Sequence, residues 1–474
     1  MGIRKNMISN LLLTSSAVVF PLITFPYLTN VLSSQNLGNV FFIDAFTQYF
    51  VIFSAIGIPF YGVREIAKLK GKNSEQSQLV LELVTLQLSL AVFFSISFIG
   101  LALLIPKIYS NISLVIISCI TIISSSFLIE WYYQGIENYG YITKRSLIIK
   151  AISVLAIIFL VKKSDDQLIY YSVTALMIFL NAVLNFTKFI LKHYKKDTMT
   201  FTIKKHIRPL MVLFSINVSV SVYTILDTII LGLLTDPVSV SYYNVPLKLV
   251  KIFWVVVSGA GVVLIPRISN LFINNQTSEI ASIMTKSFSI VFLLTIPFCI
   301  FCFFFPTEIL MLISGEKYIN AINSLRLLST VPLVIGCCNV LGTQYLMPIG
   351  KEKHILYATI VGLIVSLLLN FLLIPHYTFL GSSIACLASE MVVFLYILNS
   401  ARKTIKIKLD FNLIFQILTC TVLTTSLGFY MPHKSLLFFF LILGFTYLVL
   451  FALTHYFFFK NAFIYSIIKF KKGN

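Results

Sequence analysis

The stretch VPLKLVKIFWVVVSGAGVVLIP, residues 245–266, is an apolar run of helix length with two lysines, Lys248 and Lys251, in its first third. A helix of about 20 predominantly apolar residues spans the roughly 30 Å of hydrocarbon in a bilayer. Residues three apart share one face of a helix, so the two ammonium groups face the same way. A charge near hydrocarbon is costly and, where it is kept, faces a partner or a water-filled cavity. The stretch therefore predicts a membrane-crossing helix whose lysines have a use there.

Runs of the same kind recur along the whole chain, fourteen of them, from 7–32 to 435–459. Of the 474 residues, 58% are hydrophobic and 11% charged, whereas a soluble protein carries about a quarter charged. The polar residues are too few to clothe a soluble surface. The expected fold is an all-α polytopic membrane protein of about 14 transmembrane helices. The basic start MGIRKN leads into an apolar run that continues to Leu32 without a small-residue cleavage site, so it is expected to be an uncleaved first span.

Lysine and arginine outnumber acids by 36 to 17. In a soluble protein that would point to nucleic acid. Here the insertion bias towards basic cytoplasmic loops accounts for it, and no nucleic-acid partner is expected. With both termini cytoplasmic, most basic residues fall in inner segments, among them Lys68, Lys70, Lys192, Lys204 and Lys205. Only Lys107, Lys162, Lys163, Lys317 and Lys434 fall in outer loops. Lys150 and Lys188 lie near inner span ends, where long side chains can snorkel. Lys248, Lys251 and Arg326 lie in outer halves and need another reason.

The seven cysteines all lie in apolar runs and read as core packing. The six histidines fall mostly at loops or span ends with no acid–histidine cluster evident, so a membrane enzyme is not expected. No G-x-x-x-x-G-K-[ST] phosphate loop occurs.

Residues 37–50, LGNVFFIDAFTQYF, and 238–251, VSVSYYNVPLKLVK, hold matching places at the starts of spans two and eight. Six spans separate them, giving both copies one orientation, the pattern of two-lobed transporters with a cavity between lobes. The expected organisation is a first lobe at 1–208, a second at 209–408, and two peripheral spans with a cytoplasmic tail at 409–474.

Three stretches carry a family likeness: FPYLTNVLSSQNLGNVFFIDAFTQYFVIFSAIGIPFYGVREIA (25–67), EWYYQGIENYGYITKRS (130–146) and LDTIILG (226–232). In these the chain resembles polysaccharide (O-unit) flippases of the multidrug/oligosaccharidyl-lipid/polysaccharide exporter superfamily. Ser33-Ser34-Gln35-Asn36 departs from the Gly-Pro-type turn that relatives more often carry before Gly38. The resemblance implies a bacterial inner-membrane transporter that moves undecaprenyl-diphosphate-linked oligosaccharide from the inner to the outer leaflet. It implies membrane lipids as partners, polymerase and other glycan-assembly proteins as further candidates, a functional monomer, and no cofactor or metal.

Under that resemblance Lys248, Lys251 and Arg326 are candidate contacts for the diphosphate, since an unpaired phosphate in hydrocarbon would cost tens of kcal/mol. Asp44 and Gln48, at the matching place in the first lobe, are candidate cavity residues beside Thr47. Asp227, deep in span seven, is a candidate for charge pairing with Lys248 or Lys251, or for ion coupling. Glu390, in mid span twelve, is a candidate for protonation in place. Glu130 is expected to pair with Lys144 or Arg145. The rival readings are an ion-coupled drug or metabolite exporter of the same fold and a membrane enzyme such as an O-unit polymerase.

Overall fold

The computed structural model describes residues 3–195, 202–259, 264–431 and 435–456; the segment expected as a cytoplasmic tail lies outside them. The described residues are almost wholly helical and contain no strand. In hydrocarbon every backbone N–H and C=O needs an internal partner, which a helix provides within one segment. The chain forms two compact units, Met1–Ser241 and Tyr242–Asn474.

The first unit contains α1 (Ile3–Val31), α2 (Ser34–Ala55), α3 (Ile58–Lys68), α4 (Asn73–Leu104), the short α5 (Pro106–Tyr109), α6 (Ile112–Ser125), α7 (Glu130–Gly135), α8 (Tyr139–Leu160), α9 (Gln167–Lys192) and α10 (Lys204–Leu234). Left-handed backbone at Ile56 and Gly57 divides α2 from α3, and left-handed Ile129 precedes α7. The core where α3, α4 and α7 meet is built from Tyr61, Ile66, Leu83, Trp131 and Tyr133. At the far end, Tyr27 on α1 donates its hydroxyl to the carbonyl of Val161 at 2.7 Å, past the end of α8. Helix α10 packs on α2 inside the first unit.

Helix α11 (Pro237–Gly259) carries the chain across the boundary. The second unit continues with α12 (Ile265–Ile273), α13 (Thr277–Phe304), α14 (Pro306–Ser314), a 3₁₀ turn (Glu316–Ala321), α15 (Ile322–Leu328), α16 (Val331–Leu341), α17 (Glu352–Arg402), α18 (Phe411–Tyr430) and α19 (Leu436–Thr454). Its core joins Phe288 and Val291 of α13, Val334 and Leu341 of α16, and Val393 and Ile397 of α17. Helix α18 packs on α13, and α19 meets α14 at Phe305 and Phe439.

The 51 residues of α17 are two helices, not one. Thr378 has φ 49° and ψ −125°, and Pro375 precedes it. Gly381 lies against the backbone of Leu373 and Ile374, and Gly362 against Val393 and Ser389. That pairing is antiparallel, so the two expected spans 354–374 and 381–400 form a hairpin. Ten described segments are long and apolar enough to cross a membrane by length and composition. They count α17 once and leave out α8, α10 and α11, which stand where the fifth, seventh and eighth spans are expected. Leu104, Phe159, Leu191, Phe371 and Phe445 are among many large apolar side chains exposed on the surface, an exterior suited to lipid.

Candidate functional site

The polar centre of the first unit lies on α2, α6 and α9. Thr47, Ser118 and Tyr171 are buried. The Thr47 hydroxyl is 2.7 Å from Ser118 Oγ, and both are 3.0 Å from the Tyr171 hydroxyl. Asp44, one turn before Thr47 and half-buried, lies within electrostatic range of Tyr170 and Tyr171. Gln48 is exposed. The Thr47 and Ser118 hydroxyls also donate to the carbonyls of Ile43 and Leu114, so this cluster ties α2, α6 and α9 together. Asp227 is buried on α10, near Tyr49 of α2.

The other candidates lie in the second unit. Lys248 and Lys251 are half-buried on α11, between buried Leu247, Leu249 and Val250. Arg326 has a packing role: its Nε donates to the Phe303 carbonyl at 3.1 Å, and its guanidinium lies 5.5 Å from the Phe303 ring centre. It therefore satisfies a carbonyl at the end of α13, which a cation near a helix C-terminus does well. Glu390 is buried on α17, close to Cys338. The seven cysteines are free thiols.

The structure corrects one expectation outright: an acid–histidine cluster does exist. Glu82 of α4 is fully buried and accepts four hydrogen bonds. They come from Gln78 Nε2 at 2.9 Å, the Thr202 backbone N–H at 2.8 Å, Lys205 Nζ at 3.4 Å and His206 Nε2 at 2.8 Å, and Lys205 also forms an ion pair at 3.0 Å. His206 Nδ1 in turn is 2.7 Å from the Tyr61 hydroxyl. A tyrosine hydroxyl can donate or accept, so the contact fits either tautomer of the ring. The sequence did carry a signal, since Glu82 is the one acid within the apolar run 78–105.

Two further side chains left unplaced by their spacing join at the other end of α10. Lys107 Nζ donates to the carbonyls of Leu233 at 2.9 Å and Thr235 at 2.7 Å, capping the helix. Asp236 caps α11 through the Ser239 N–H at 3.0 Å and the Ser239 hydroxyl at 2.8 Å. Burial raises the Asp236 carboxyl pKa, but these hydrogen bonds outweigh it and leave the pKa below its ordinary value. With Asn39 and Asn111 they line a cavity of about 560 Å³. Glu130 pairs with buried Arg145, as expected. Lys150 and Lys188 do more than snorkel: Lys150 bonds Ser16 at 2.8 Å, and Lys188 lies over the Tyr141 ring.

Comparison with known proteins gives the family and the fold. A family model described as "Polysaccharide biosynthesis protein" matches residues 3–272. The chain belongs to that family. It is a multi-pass membrane protein of polysaccharide biosynthesis, in the exporter superfamily that the sequence resembles. A second model, MatE, matches residues 209–372. A protein of Escherichia coli (strain K12) named "Putative O-antigen transporter" is 24% identical over 83% of this chain and 95% of its own length. Its namesake in Shigella dysenteriae is 24% identical over 84% of this chain and all of its own length. In fold, the chain is similar to "Lipid II flippase MurJ, inward closed conformation", with TM-score 0.71 and 15% identity, covering 95% of this chain and 99% of that one. An inward-facing multidrug resistance MATE family transporter shares the fold at TM-score 0.60 and 13% identity, covering 82% of this chain and 96% of that one.

Membership gives two of the quoted motifs a physical meaning. Gly38, from the stretch 25–67, and Gly232, which closes LDTIILG, meet at one crossing. A Cβ on Gly38 would fall 1.7 Å from the Pro237 carbonyl oxygen, and one on Gly232 would fall 2.0 Å from the Phe42 ring. At this crossing neither Gly38 nor Gly232 has room for a Cβ.

Proposed function

We propose that the protein is a flippase for an undecaprenyl-diphosphate-linked oligosaccharide, carrying O-antigen or related repeat units from the cytoplasmic to the outer leaflet. Two lobes, 1–208 and 209–408, alternate access to a watered chamber while the polyprenyl tail stays in lipid. The observation that carries this reading is the pair Lys248 and Lys251, half-buried on an apolar helix in a chain of the polysaccharide biosynthesis family. A lysine ammonium attracts phosphate as a point charge without a rigid bidentate clamp, which suits a group that must be released. Asp44 and Gln48 contact the sugar, while Asp227 and Glu390 balance charge or bind a coupling ion. Arg326 is already engaged at the end of α13 and is the weakest member of the set. With the cell interior negative, outward movement of an anion is favoured by about 2.3 kcal/mol per charge per 100 mV, so the membrane potential contributes without nucleotide.

The test measures outer-leaflet exposure of the headgroup in cells or proteoliposomes bearing Lys248→Ala and Lys251→Ala. Flipping is expected to fall with expression unchanged; normal flipping would remove both lysines from the mechanism. The MatE match over 209–372 supports a second reading, export of a small cationic compound. Drug resistance conferred on expressing cells, with no lipid-linked glycan accumulating in a deletion strain, would favour it.

A further inference from the structure

The second unit holds a groove of about 450 Å³ between α13, α16, the second half of α17 and the non-helical segment 405–410 that follows it. Phe288, Phe292, Leu333, Val334, Phe394 and Leu398 form its walls. The segment over it reads Ile-Lys-Ile-Lys-Leu from 405 to 409. Alternate side chains of this segment go opposite ways: Ile405, Ile407 and Leu409 line the groove, while Lys406 and Lys408 are exposed. Thr285 of α13 pins this strap by donating its hydroxyl to the Lys408 carbonyl at 2.7 Å. The strap ends at Asp410, whose carboxylate accepts the Leu413 N–H at 3.0 Å and caps α18. Exposed Arg402 forms the charged part of the rim, and exposed Lys403 follows it.

The walls select the occupant. A buried water needs two to four polar partners, which a lining of phenylalanine, leucine and valine does not supply. The volume falls within the range of ligand sites, which are mostly apolar with a few placed polar groups. The strap lies on the face that the charge distribution assigns to the cytoplasm, where anionic lipids attract lysine and arginine.

We propose that this groove binds an anionic phospholipid of the cytoplasmic leaflet. One acyl chain lies beneath the 405–409 strap, and the phosphate rests against Arg402 and Lys403, with Lys406 and Lys408 adding positive potential. Basic pockets between transmembrane helices on the cytoplasmic side hold lipid headgroups in this way. Every lining residue belongs to the second unit, so the site stands whether or not the flippase reading does. Its occupant is a resident lipid and not the cargo.

Native mass spectrometry of the full-length protein, released from micelles holding equal phosphatidylglycerol and phosphatidylcholine, tests this. The unmodified protein is expected to retain phosphatidylglycerol preferentially. Arg402→Gln with Lys403→Gln should cut that preference roughly fivefold for each charge removed, and Leu333→Trp, which fills the groove, should abolish retention. Equal retention of the two lipids, or an unchanged preference in the double variant, overturns the proposal. So does displacement of phosphatidylglycerol by equimolar undecaprenyl phosphate, which would make the groove a cargo site. If Leu333→Trp fails to fold, the exposed double variant decides alone.

Discussion

The two ends of α10 are fastened to the first unit by opposite means. At Lys205 and His206 the fastening is a fully buried carboxylate, Glu82, with four donors around it. At Leu234 it is a lysine on terminal carbonyls and a crossing with no room for a side chain at Gly38 or Gly232. A buried ionic contact gains strength from the low dielectric and is costly to break from one side. A cation on exposed carbonyls is solvated and screened, so the glycine crossing carries the end at Leu234. One helix is thus held at both ends, by a buried ionic cluster at Lys205 and His206 and by close helix packing at Gly232.

Four substitutions sharpen the contrast, from the largest effect to the smallest. Glu82→Ala leaves His206, Lys205 and Gln78 without their shared acceptor. Breaking a buried pair from one side costs about 3–5 kcal/mol, so the detergent-solubilised protein should unfold at a clearly lower temperature. A melting temperature equal to that of the unmodified protein would reduce the cluster to decoration.

Gly38→Ala drives a methyl group into the Pro237 carbonyl, and overpacking of this kind costs about 1–3 kcal/mol. Gly100→Ala is the control, because nothing lies within 4 Å of the added carbon. It should melt no lower than the parent. Equal melting of the two variants would show that the crossing yields.

Lys107→Met removes the cap from α10. Charge at a helix end contributes about 0.3–1 kcal/mol. The effect should therefore appear as faster amide exchange near 231–235, with global melting almost unchanged; a fall as large as that of Glu82→Ala would reverse the ranking of the two ends.

Asp236 gives the smallest effect, and its sign is determined. Its folded-state pKa lies below the ordinary value, so the cap contributes fully above the unfolded pKa of about 3.9. It is lost only as the pH falls through the lower folded value. Amide exchange at 238–240, corrected for its intrinsic pH dependence, should stay flat from pH 7 to about 5. Asp236→Asn keeps an oxygen acceptor for the Ser239 N–H and should exchange much as the parent does in that window; loosening of the parent near neutral pH would contradict the assignment.

Much of the fold was legible beforehand, and the reason is local. Each apolar run is read by its length, so α1, α4, α9 and α18 stand where the runs 7–32, 78–105, 168–191 and 411–431 begin and end, to within a few residues. The hairpin in α17 was legible as two runs, because His376 and Tyr377 interrupt the apolar pattern between them. The packing of α10 was not legible, because nothing within 204–234 records that α2 is its partner. The candidate site was read in part. The rule that singled out Asp227, an acid inside an apolar run, applies equally to Glu82, yet His206 looked like a loop residue until the chain folded.

The sequence alone determined residence in the membrane and the helical class, because hydrocarbon judges each segment by its own length and polarity. It also determined the family, through motifs that can be read in order along the chain. Only the tertiary structure decided which polar groups meet. Glu82 and His206 are 124 residues apart, and Gly38 meets Pro237 across the crossing of two helices. Contacts of that kind have no periodicity to announce them, because they arise from how helices pack and not from how any one helix forms.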